Sequence, residues 1–151
     1  ITQQTGTSVG VFGPISATTF GGNITLANAN NNFGRITLNT GTPASGVITL
    51  VERDTAKIGS LSSTGAATIT SALGSVIEDT VGLTTLNVPT LTVTANSGSI
   101  LLGTAGVTTG TVAAATLNAS AAAARASSRS PLRTVTSSST TRPPTSPPRR
   151  A

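Results

Sequence analysis

The stretch ITLANANNNFGRITLNTGTPASGVITL, from Ile24 to Leu50, carries Ile-Thr-Leu three times, at 24–26, 36–38 and 48–50, with a step of twelve residues between copies. In an extended backbone successive side chains point to opposite faces, so each copy sends Ile and Leu one way and Thr the other. β-Branched Ile and Thr favour that backbone over a helix. Twelve residues suit one strand and one turn. Two steps, about 24 residues, suit one coil of a β-solenoid, in which each strand pairs with its equivalent one coil further on.

The same alternation continues outward from this stretch. In PTLTVTAN, Leu91 and Val93 lie opposite Thr90, Thr92 and Thr94. ATITS around Ile69 and GSILLG around Ile100 repeat the pattern, with Gly, Asn, Asp and Pro between segments. The expected fold is all-β, a parallel β-helix (β-solenoid) over residues 1–112 with a disordered tail over 113–151. The expected core is Ile24, Leu26, Ile36, Leu38, Ile48, Leu50, Ile69, Leu91, Val93, Ile100 and Leu102. One inward column should run Ile24, Ile48, Ile69, Leu91, and a second from Ile36 to Ile58 or Leu61. Thr25, Thr37 and Thr49 should face water. Asn30, Asn31 and Asn32 suit a turn, with Asn side chains bonding between coils, Phe33 at a corner of the core and a longer loop at Thr42-Pro43. A longer offset of 76 residues aligns Ile24 with Ile100 and Leu26 with Leu102, and suggests a long repeat above the short one.

Composition narrows the chemistry. Charged residues make up 9% of the 151, against about 25% in ordinary soluble domains, so Thr, Ser, Asn and Gly must carry the polar surface. The chain has no Cys and no His, which removes disulfides, thiolate metal sites and the commonest general base. It has no Met, and the expectation is a segment of a longer protein. No apolar run approaches the ~20 residues of a membrane helix. A transmembrane barrel would need aromatic girdles, and the aromatic residues here are three Phe. Direct membrane insertion is therefore not expected.

The net charge of +5 belongs to one end of the chain. Up to Asn118, Arg35, Arg53 and Lys57 stand against Glu52, Asp54, Glu78 and Asp79; beyond it come Arg125, Arg129, Arg133, Arg142, Arg149 and Arg150 with no acid. The tail is Ala, Ser, Thr, Arg and Pro, too poor in large aliphatics to offset the entropy of ordering. A frayed helical turn near Ala121–Arg125 is the most structure it should hold. Its arginines are dispersed and lack aromatic residues to stack bases, so no nucleic acid is expected as a partner. Out-of-frame translation of a GC-rich gene would give the same composition.

GGNITLANANNNFGRITLNT resembles the repeats of large bacterial surface proteins of the filamentous haemagglutinin and autotransporter-adhesin type. There an Ile/Val-Thr-Leu strand, a turn ending Asn-Asp-Phe-Gly and a second strand recur. Asn31-Asn32-Phe33-Gly34 fills the turn, with Asn where Asp is common. ITLVERDTAKIG and GAATITSALGSVIED match the following segments, and ITQQTG resembles the close of a preceding copy. The resemblance covers residues 1 to about 104. It implies a right-handed parallel β-helix, exported to a Gram-negative cell surface, non-enzymatic and without a cofactor. Its implied partners are adjacent repeats of the same chain and glycans or proteins of host or neighbouring cells. It defines no catalytic or metal-binding residues.

Glu52 and Asp54, with Arg53 and Lys57 beside them, are the surface candidates for chemistry. Parallel β-helix polysaccharide lyases use clustered carboxylates for Ca²⁺ and a basic residue for proton abstraction, which makes a polysaccharide-binding or -cleaving helix the alternative. Two acids are few for a Ca²⁺ site, and a solvated turn with local ion pairing is the simpler expectation. Outward Thr ranks, Thr68/Thr70 and Thr90/Thr92/Thr94, would suit an ice-binding solenoid, but each Ile-Thr-Leu offers one Thr.

Overall fold

A computed structural model describes residues 1–41, 46–79, 85–102, 111–124 and 135–137. Among the described residues there are twelve strands. They are β1 (Gly10–Val11), β2 (Ile15–Thr18), β3 (Ile24–Leu26), β4 (Asn32–Phe33), β5 (Arg35–Asn39), β6 (Ile48–Glu52), β7 (Ala56–Ser62), β8 (Ala67–Ser71), β9 (Val76–Glu78), β10 (Thr85–Leu101), β11 (Thr111–Ala124) and β12 (Val135–Ser137). Every strand pairing is parallel and joins a strand to its counterpart one coil on. The chain is a right-handed parallel β-solenoid of about four turns.

Each coil passes through three ladders. The first stacks Ile15, Ile36 and Ile58, and then Glu78. The second stacks Ala17, Leu38, Leu61 and Leu86. The third stacks Ile24, Ile48, Ala67 and Leu91, with Leu26, Leu50, Ile69 and Val93 beside them. β10 runs through all three, pairing in turn with β7, β8 and β9. The core is the inward side of these ladders. Ile24, Ile36, Leu38, Ile48, Leu50, Ile69, Leu91, Val93, Ile100 and Leu102 are buried, while Leu26 is half-buried and packs against the cluster from the first coil. Thr25, Thr37 and Thr49 lie half-exposed on the outer side.

The register differs from the sequence expectation at one place. Ile48 stacks on Ala67, and Ile69 stacks on Leu50. The reason is a short corner. Leu38 to Ile48 spans ten residues, while Leu61 to Ala67 spans six. Ser63 and Gly65 make the tighter turn: the Gly65 N–H donates to Ser63 Oγ at 3.0 Å, and a Cβ on Gly65 would meet the Gly46 carbonyl. Because the error is two residues, side chains keep their faces. The 76-residue offset does not follow the ladders either: Ile24 belongs to the third, whereas Ile100 stacks on Val76 in the first.

The strand pairing also continues past residue 113. β11 lies parallel to β10 from Thr85↔Thr111 to Ile100↔Ala124, so 121–124 is strand and not a helical turn. Alanine is a weak strand former, and here an existing edge supplies the partner. The loop at Thr42-Pro43, and the tail beyond 124 apart from β12, lie outside the described residues.

Candidate functional site

The Asn-Asn-Phe-Gly turn joins the third ladder to the first, and each of its residues has a distinct task. Asn31 is fully buried. Its Nδ2 donates to Gln3 Oε1 at 3.0 Å, Leu26 O at 3.2 Å and Val51 O at 3.3 Å. Its Oδ1 accepts from the Val9 N–H at 2.9 Å and from Gln3 Nε2 at 2.6 Å. One side chain thus ties its own coil to the coils before and after it. Asn32 pairs with Gly10, and its side chain reaches Asp54 Oδ2 at 3.3 Å. Phe33 plugs the core at 5% exposure. Gly34 lies against the Gly13 carbonyl, where a Cβ has no room.

The four surface candidates separate. Glu52 is not solvated: it is fully buried, which corrects the expectation of a solvated turn. It continues the inward series Ile48, Leu50, Glu52, and its ladder neighbour is Ser71. Its Oε2 accepts the Phe33 N–H at 3.1 Å, and its Oε1 faces the Asp54 N–H at 3.5 Å. Removal from water pushes its carboxyl up from 4.5 to about 7, against the lowering effect of these two N–H groups. Asp54 points outward and pairs with Arg53 at 2.9 Å. That hydrogen bond, with Asp54's negative charge, holds the Arg53 guanidinium above its usual range. Lys57 is exposed and stacks between Arg35 and Ile77. Glu52 and Asp54 therefore face opposite sides of the wall, and among the described residues no group of three or more His, Cys, Asp or Glu could hold a metal ion.

Three polar features were not anticipated from sequence. Arg35 crosses from β5 to Asp79, two coils on, at 3.1 Å. It passes over Gly59, the extra residue where β7 bulges against β5, and a Cβ there would collide with the arginine. Thr40 and Ser63 are buried and joined at 2.9 Å across one corner. Gln3 completes the Asn31 network from the first coil. None of the three has a signal in the sequence, whereas the burial of Glu52 has one in its place at period two from Ile48 and Leu50.

The outer side of the third ladder is the most regular surface. Thr25, Thr49, Thr68 and Thr92 stand in one register, with Val51, Thr70 and Thr94 in a second row. All are half-exposed and none is charged. Neighbouring rows along the coil axis lie ~4.8 Å apart. The largest apolar exposures lie elsewhere, at Phe12, Phe20 and Leu73.

The fold and these contacts define a β-solenoid scaffold, a structural repeat module. No protein-family model, curated protein or solved structure matches the chain significantly.

Proposed function

We propose that the chain is a shaft segment of a large secreted or surface-displayed bacterial adhesin, holding other parts of the protein away from the cell and offering its threonine wall for contact. The observation that supports this most is the third ladder: five strands, β3, β6, β8, β10 and β11, stack in parallel over a continuous aliphatic column. Such a stack resists bending because every coil shares a backbone ladder and a core with the next. The polar side chains at the corners are spent on holding coils together. Its partners in this reading are uncharged cell-surface glycans or proteins.

Beads coated with the chain test the proposal against epithelial cells and a glycan array. Retention that falls when Thr49, Thr68 and Thr92 are changed together to Lys supports an adhesive shaft. Release of new sugar ends from a polysaccharide on incubation with the chain would overturn the non-enzymatic reading.

A further inference from the structure

Glu52 is a buried ionisable group that a purely structural shaft does not require. An aliphatic residue at this period-two inward position would leave the Phe33 N–H without its acceptor, but a neutral amide would supply one without an ionisable group. Here the site holds a carboxyl group with no exposed surface, directed at the joint between two coils. Its Oε2 takes the N–H of Phe33, nineteen residues earlier in the chain. Phe33 is itself a core residue, and its own coil is tied to the preceding one through β1 and β4.

We propose that Glu52 is a proton-operated latch at this corner: neutral, it seals the joint between successive coils, and ionised, it loosens it. A charge in this position has lost its water, and two backbone N–H groups replace only part of that hydration. The neutral acid keeps the Phe33 bond through its carbonyl oxygen without that cost, and gives up only the long 3.5 Å contact to the Asp54 N–H.

The groups around it leave the latch its own master. Asp54 opposes the ionised form and Arg53 favours it, and these two are engaged with each other at 2.9 Å. β4 presents a backbone N–H, and β8 presents Ser71, whose hydroxyl is directed to the Asp54 carbonyl. β10 continues the ladder with Ala95. The other buried carboxylate, Glu78, belongs to the first ladder, in the Ile58 column. The chain has no His or Cys to titrate in the same range.

The direction follows from linkage. Where the folded state holds a proton that the unfolded state has released, stability falls as pH rises. The coil should be firm in mildly acidic surroundings and looser above neutrality.

Thermal unfolding of the full chain, followed by circular dichroism from pH 5 to 8, tests this together with Glu52→Gln, the neutral isostere. The midpoint of the unaltered chain should fall by roughly 5–10 °C across that range, and that of Glu52→Gln should stay nearly level. Equal slopes in the two proteins would overturn the latch, as would failure of Glu52→Gln to fold, since the neutral form is the one said to fit. A second measurement needs no variant: the Glu52 side-chain carboxyl carbon, followed by NMR, should titrate near neutrality. A midpoint in the ordinary carboxylate range would overturn the proposal.

Discussion

Asn31 and Asn32 are adjacent and chemically identical, yet the fold gives them unequal weight. Asn31→Ala removes five hydrogen-bonding contacts in one step. It takes the Asn31 side chain from the Val9 N–H and from the Leu26 and Val51 carbonyls, while the Gln3 amide keeps the Thr7 carbonyl and the Asn28 N–H. A buried polar group stranded in this way costs about 1–3 kcal/mol. Gln3 and Val9 lie toward the open side of the coil and can recover water, so the two carbonyls dominate. The sum is about 3–5 kcal/mol, a large part of the 5–15 kcal/mol that stabilises a typical domain. Asn32→Ala loses one side-chain contact, at 3.3 Å to the exposed Asp54, and should cost less than about 1 kcal/mol. Urea unfolding followed by far-UV circular dichroism compares the two directly. If Asn32→Ala were as damaging as Asn31→Ala, the interior network would not be what holds this turn.

Further expectations use the same assay. Ile36→Ala, at a fully buried position, should cost about 2–5 kcal/mol, whereas Thr37→Ser on the outer side should cost little; the opposite ranking would reverse the facing of β5. Gly34→Ala drives a Cβ into the Gly13 backbone and should cost about 1–3 kcal/mol, while Gly10→Ala, with nothing within 4 Å of the new Cβ, should be close to neutral. For Glu52, a folded value of about 7 above the unfolded 4.5 means that its stabilising contribution is complete below about pH 4.5 and lost by about pH 7. A tenfold difference in proton affinity is worth about 1.4 kcal/mol, which caps the loss near 3 kcal/mol, and water reaching the corner reduces it to about 1–2 kcal/mol. Urea midpoints at pH 5 and pH 8 measure it.

Much of the architecture was legible in residues 24–50. Ile-Thr-Leu at a step of twelve carries both the facing of side chains and the length of a coil, because period two and solenoid geometry follow from backbone sterics alone. Register was less legible. Aligning Ile69 with Ile48 follows from a coil of roughly constant length, but the length of the Ser63–Ala66 corner decides the stacking, and corner length is set by local turn contacts such as Gly65 to Ser63 Oγ. The charge of Glu52 points to the surface and its period-two place after Ile48 and Leu50 points inward, and position prevails. The Arg35–Asp79 bridge was not legible at all, since it joins residues on coils two apart whose proximity exists only once the register is known. The strand character of 111–124 was hidden by Ala-rich composition; pairing to the β10 edge supplies what local propensity lacks.

Register is the central claim, and the absence of native Cys allows it to be tested with introduced pairs. In the structure Thr49 stacks on Thr68, which puts their Cα atoms ~4.8 Å apart, within disulfide range. Aligning Ile48 with Ile69 would instead put Thr49 on Thr70. The account predicts that Thr49→Cys/Thr68→Cys closes an intramolecular disulfide readily under mild oxidation. Thr49→Cys/Thr70→Cys, about 8 Å apart by the same geometry, should stay reduced. Preferential closure of the Thr49/Thr70 pair would contradict the register, and closure of neither would contradict the parallel coil.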